Sequence, residues 1–142
     1  MMISTKGRYA LRVMIDLAEH YTGDYVPMKD IAKRQEISLK YVERILPEFK
    51  KQGLIETVHG KGGGYRLCRE PDQYTAWEIL LLAEGDLAPV SCLQKDARPC
   101  PRAAECKTLP LWKNYYELTK EYFSRITLAD LMQETAEYNY VI

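Results

Sequence analysis

The segment Ser38-Leu39-Lys40-Tyr41-Val42-Glu43-Arg44-Ile45-Leu46 is followed, after a short interval, by Leu54-Ile55-Glu56-Thr57-Val58-His59-Gly60-Lys61-Gly62-Gly63-Gly64-Tyr65-Arg66-Leu67. The period of the pattern changes between the two. In the first, Ser38 is placed to cap a helix over residues 38–52, and Val42, Ile45 and Phe49 recur at helical spacing. Gly53 ends that helix, and Pro47 inside it predicts a kink. In the second, residues 54–58 and 65–67 read as strands around a glycine-rich tip. Four of the eight glycines of the chain fall within residues 59–64, which is a hairpin signal.

Working back from Ser38, residues 35–37 form a tight turn. Pro27 opens a short helix of about eight residues, with Met28, Ile31 and Ala32 inward. Gly23 and Asp24 break the chain before it. Residues 5–20 read as a first helix, with Thr5 as its cap and Ala10, Val13, Met14, Leu17 and Ala18 on one face. Three helices followed by a hairpin is the order of a winged helix-turn-helix. In such a unit the third helix enters the major groove and presents polar groups from its N-terminal end. Ser38, Lys40, Tyr41, Glu43 and Arg44 are the candidates for that face. The wing tip approaches the sugar-phosphate backbone. Gly62 and Gly63 permit the approach, Lys61 supplies charge and His59 a further contact. The plain alternative is a small helical domain with a solvated charged face.

Working forward from the hairpin, Thr75 caps a helix to about residue 83 that carries Trp77, Ile79, Leu80 and Leu82, and Gly85 ends it. Residues 86–108 form a long loop with Pro89, Pro99, Pro101 and three cysteines. A loop of that length is commonly functional or disordered. Residues 109–125 read as a long helix bearing Trp112, Tyr115, Tyr116, Tyr122 and Phe123. So many rings at so many helical positions require cover on several faces. Thr127 caps a last short helix to about residue 134, and the tail 138–142 is too short to assign. The expected class is mainly α with a small β-hairpin. It divides into a winged helix-turn-helix (1–84), a cysteine-bearing sensor loop (85–108) and a dimerisation helix with its tail (109–142).

The 142 residues are 46% apolar and carry no net formal charge. The halves differ: residues 1–70 hold 13 Lys and Arg against 9 Asp and Glu, and residues 71–142 hold 7 against 11. A basic front half suits a polyanion and an acidic back half does not. No apolar run reaches the roughly 18 residues needed to cross a bilayer, and residues 1–8 lack the apolar core of a signal peptide. A cytoplasmic protein is expected, in which cysteines serve as ligands, sensors or core residues rather than stable disulfides. No paired-acid, Ser-His-Asp, Cys-His or phosphate-loop constellation supports an enzyme.

Cys92, Cys100 and Cys106 follow the spacing C-x7-C-x5-C. Three thiolates in a loop can gather around a soft metal centre. A thiol switch, a zinc site or three ordinary loop residues fit the same spacing. Cys68, next to the second strand, lies outside the pattern and reads as a small packed residue.

The motifs Ser4-Thr5-Lys6-Gly7-Arg8-Tyr9-Ala10, Ile37-Ser38-Leu39-Lys40-Tyr41-Val42-Glu43 and Gly60-Lys61-Gly62-Gly63-Gly64-Tyr65 resemble those of the Rrf-two family of bacterial winged-helix transcription regulators. The resemblance runs from Ile3 to about Met132. It implies a DNA-binding regulator, a repressor, that is a homodimer joined through a long C-terminal helix. Two-fold symmetry then implies double-stranded DNA with an inverted repeat as the partner. In the cluster-binding branch of the family three loop cysteines hold an iron–sulfur cluster. The match implies that Cys92, Cys100 and Cys106 do so here, as metal ligands of a 2Fe–2S or 4Fe–4S centre that controls operator binding. The chain departs from its relatives at the fourth ligand. Leu109 stands where one branch has histidine, and Arg8 where another has an acidic residue. His20 and His59 lie elsewhere, which leaves Glu105, solvent or a small thiol. A cluster-free member regulated by thiol oxidation or a protein partner is the other reading of the resemblance.

Overall fold

A computed structural model describes residues 2–132. Its elements are α1 (Thr5–Glu19), α2 (Met28–Gln35), α3 (Leu39–Lys51), β1 (Ile55–Val58), β2 (Gly64–Leu67), α4 (Ala76–Glu84), α5 (Leu109–Ser124) and α6 (Leu128–Leu131). Single 3₁₀ turns lie at Pro71–Gln73 and Ser91–Leu93. The fold is the expected one, mostly helical with a two-stranded antiparallel hairpin. The expected end of the last helix near residue 134, with the tail 138–142, lies outside the described residues.

The cap of α1 differs from expectation. Ser4, not Thr5, stands outside the helix, and its hydroxyl accepts from the Gly7 amide. The Ser4 amide and hydroxyl both donate to the Glu84 carboxylate of α4, at 3.0 and 2.6 Å. A carboxylate at a helix N-terminus is also favoured by the dipole. Gly7 makes the approach possible, because a Cβ there would stand 2.3 Å from Glu84 Oε1. Three other caps fall where the sequence places them. The Ser38 hydroxyl accepts from Tyr41 N, that of Thr75 from Glu78 N, and Thr127 forms a reciprocal box with Asp130.

The helix α3 runs through Pro47. Proline removes the bond to the Glu43 carbonyl. Both residues are exposed, so that carbonyl lies on the solvent side, where water can satisfy it. The opposite face buries Val42, Ile45, Leu46 and Phe49 completely. It meets Val13, Met14 and Leu17 of α1 and Ile31 of α2 in one core. The hairpin pairs Ile55 with Leu67 and Val58 with Gly64. Its first strand begins at Ile55 rather than residue 54, because Leu54 N still donates to the Phe49 carbonyl. Val26 adds a bridge on the outer side of β2, exchanging 2.8 Å bonds with Tyr65 in both directions. This bridge fastens the hairpin to the segment before α2.

Beneath the first helices lies a buried charge. Asp16 is 1% exposed and accepts from Arg34 Nε and Nη2 at 3.0 and 2.7 Å and from Gln35 Nε2 at 2.9 Å. The bond to Asp16 is the largest cause holding the Arg34 guanidinium above its ordinary pKa. The network ties α1 to α2. Asp16→Ala should cost about 2–3 kcal/mol in urea unfolding. That is below the full penalty for a broken buried pair, because the arginine it strands reaches solvent. An unchanged midpoint would show that the network adds nothing.

Candidate nucleic-acid interface and cysteine cleft

On the solvent side of α3, Lys40, Glu43 and Arg44 are exposed and make no hydrogen bond or ion pair among the described residues. The spacing i, i+3, i+4 puts them on one face. Ser38 is exposed at the head of the helix. Tyr41 is half-buried, its ring edge-on to Tyr9 with centroids 5.1 Å apart. Sequence reasoning missed Leu39. It is 44% exposed and lies one turn before Glu43, where an apolar side chain could meet a thymine methyl. A helical pattern sends leucine inward by default, and only the neighbouring packing shows that this one points out.

The hairpin tip holds His59, Lys61 and Gly62 exposed and Gly63 half-buried. Gly60 and Gly62 have φ of 95° and 79°, the left-handed region that glycine enters without strain. At Gly63 a Cβ would stand 2.2 Å from the Val58 carbonyl oxygen. The tip is therefore closed by main-chain packing, with bare backbone at Gly60 and Gly62 on either side of Lys61. Below it, Arg66 pairs across the strands with Glu56 at 2.6 Å, which draws that positive charge back from the tip.

The three loop cysteines border one cleft without forming a metal-holding group among the described residues. Cys92, Cys100 and Cys106 line a single cleft of about 200 Å³ with Leu93, Pro99 and Leu109. Lys113, one turn into α5, lines it too. Sequence reasoning passed over Lys113, although it follows Leu109 at i+4 on the same helix face. The donor set and apolar walls suit a soft centre. Among the described residues no group of three His, Cys, Asp or Glu is placed to hold a metal ion. The Cys106 thiol lies below its usual pKa, first because it hydrogen-bonds the Thr108 hydroxyl, then through the Thr108 backbone. Cys68 lies elsewhere, beside Glu56 and Arg66, and partial desolvation pushes its thiol up.

The profile of the Rrf2 family, described as an iron-dependent transcriptional regulator, matches residues 3–134. The chain belongs to the Rrf2 family. Over 132 residues it is 34% identical to the HTH-type transcriptional regulator IscR of Aliivibrio salmonicida, covering 93% of this chain and 77% of that one. Among solved structures it is similar to CymR (YrzC), the global cysteine regulator of B. subtilis, with a TM-score of 0.74 and 36% identity over 93% of this chain and 96% of that one. It is also similar to T. potens IscR, with a TM-score of 0.75 and 31% identity over 97% and 92%. The Rrf2 chain is accordingly a DNA-binding transcription regulator and not an enzyme. Among the described residues no helix is long and apolar enough to cross a membrane.

The helix α5 has an uncovered side. In α5, Leu111, Tyr115, Leu118 and Tyr122 are 58%, 44%, 64% and 47% exposed. Their spacing of four, three and four residues makes one apolar stripe along the helix. The other side of α5 packs inward, with Tyr116 against Trp77 of α4 at 6.0 Å between ring centroids.

Proposed function

We propose that this regulator acts in the cytoplasm as a homodimeric repressor, and that an iron–sulfur cluster on Cys92, Cys100 and Cys106 controls its hold on DNA. Residues 1–84 bind DNA, 85–108 sense and 109–142 pair the subunits. The apolar stripe on α5 supports the dimer, because four large side chains in a row at that exposure would otherwise face water. Two copies of α3 related by a two-fold axis read an inverted repeat.

Within each half-site, Lys40, Tyr41, Arg44 and Ser38 contact the groove edge and its phosphates, and Glu43 reads bases. His59 and Lys61 meet the backbone, which Gly62 and Gly63 allow close. Lys61→Ala should weaken binding about equally on all sequences. It should also lower the slope of log affinity against log salt by roughly one unit. Titration of a selected duplex and a random one at several salt concentrations measures both, and unchanged binding at low salt would remove the wing from the interface. Glu43→Ala should instead relax sequence choice. A carboxylate in the groove repels phosphate and accepts from cytosine N4, so non-specific affinity should hold or rise. Selection from a random pool checks this, and a uniform loss with specificity intact would make Glu43 structural.

The observation that carries the sensing role is that all three loop cysteines line one apolar cleft at the start of α5, in a family described as iron-dependent. When bound, the cluster supplies iron–sulfide redox chemistry at this cleft. The protein's part is mechanical. Three thiolates holding the cluster would draw residues 92–106 together, with Leu93, Pro99 and Leu109 as apolar neighbours. The loop joins α4 to α5, so drawing it together would constrain how α5 leaves the DNA-binding unit. No histidine lines the cleft, and a fourth position would fall to Glu105, solvent or a small thiol. Iron and acid-labile sulfide analysis of anaerobically purified protein, with its absorption spectrum, tests this. A colourless, iron-free protein after attempted reconstitution would favour the second reading, control by thiol oxidation. The lowered Cys106 thiol and the likeness to a cysteine regulator support that reading.

A further inference from the structure

A recess larger than the cysteine cleft borders it at Leu93, with a volume of about 810 Å³. That falls within the range of roughly 300–1,000 Å³ common for small-molecule sites. Four parts of the fold line it: Leu54 at the entry to β1, Trp77 and Leu81 on α4, Leu93 in the loop, and Tyr116 on α5. The Trp77 and Tyr116 rings, tilted 47° to one another, make an aromatic wall.

Its charges are unevenly satisfied. Arg69 is engaged by Glu78 at 2.6 Å. The Asp86 carboxylate accepts from the amides of Ala88 and Lys95 at 2.7 and 2.9 Å. Lys95 and Lys120 also line the recess, and neither ammonium has a partner among the described residues. The acids here are occupied while two cations are not, beside an aromatic wall. That combination selects an anion with a flat apolar body.

We propose that this recess is an effector site for a small aromatic anion, of the carboxylate or sulfonate class. Pairing of subunits through the α5 stripe leaves it open. At about 100° per residue, Tyr116 and Lys120 lie roughly 130–170° around the helix from the centre of the Leu111–Tyr122 stripe. A ligand there touches the base of the wing at Leu54 and the dimer helix at Tyr116 together, so its occupancy biases their relative placement. None of its described lining residues is a cysteine, although Leu93 borders both cavities.

The chain has two tryptophans, and Trp112→Phe leaves Trp77 as the sole indole in the full-length protein. Titration with 8-anilinonaphthalene-1-sulfonate should saturate at one probe per chain, with emission excited through Trp77. Lys95→Met with Lys120→Met should weaken that binding tenfold or more. It should leave the neutral N-phenyl-1-naphthylamine within twofold. Saturating anion should change affinity for a selected operator duplex at least threefold, in cluster-free protein as well. Probe binding that fails to saturate, ignores both lysines or excludes Trp77 would overturn the site. Binding without any change in DNA affinity would overturn its effector role. A colourless protein that still binds the probe would separate a failure of the cluster from a failure of this site.

Discussion

Cys100→Ser, purified without air, should be colourless and nearly free of iron and sulfide, where the unsubstituted protein is coloured. Cys92→Ser and Cys106→Ser should behave alike. The reason is the thinness of the ligand set. Cys92, Cys100 and Cys106 line the cleft with no histidine beside them. Leu109 adds only an apolar wall, and Lys113, a cation, brings no carboxylate or thiolate. Cluster irons are ordinarily held by four protein ligands, so a chain that supplies three has none to spare. Cys68→Ser should keep the colour, because Cys68 faces another cleft, beside Glu56 and Arg66. The iron-to-protein ratio and the visible absorption measure the contrast. A serine variant at Cys92, Cys100 or Cys106 that kept full iron and sulfide would remove that residue from the ligand set.

Leu118→Glu should split the dimer and lower operator affinity on the order of 100-fold, the scale lost when two linked sites bind as separate ones. Leu118 is the most exposed member of the α5 stripe. In an interface between identical copies each new carboxylate is buried or faces its own mate, and either is costly. The monomer should stay folded, since the same side chain already reaches water in the single chain. Light scattering at micromolar concentration reads the first effect and a DNA titration the second. A variant that remained dimeric would place the interface elsewhere.

The parts of the fold legible in the sequence are those encoded locally. Ser38 with Val42, Ile45 and Phe49 announces a capped amphipathic helix, and the glycines around Lys61 announce a hairpin tip. Each signal lies within a few residues of what it specifies. What escapes is made at long range. Val26 bonds Tyr65 across the chain, and nothing in its own neighbourhood marks it as a strand partner. Ser4 rather than Thr5 caps α1 because Glu84, eighty positions away, holds it there. Asp16 carries no local mark of burial, and its partners Arg34 and Gln35 come from α2. The candidate site divides in the same way. The spacing of the cysteines is visible and their sharing of one cleft is not, because that depends on the path of the loop beside α5. Leu39 points outward against the rule for its residue type, since its neighbours Val42 and Ile45 already fill the core beneath α3.

If occupancy of the cysteine cleft governs operator binding, one anaerobic preparation can show it. The protein is assayed on a duplex selected from a random pool, before and after a chelator removes its iron. Iron and sulfide are expected in the starting protein, with a change in affinity of tenfold or more on their removal. The Cys100→Ser protein should bind as the stripped form does. Equal affinity before and after stripping would contradict the controlling role of the cleft.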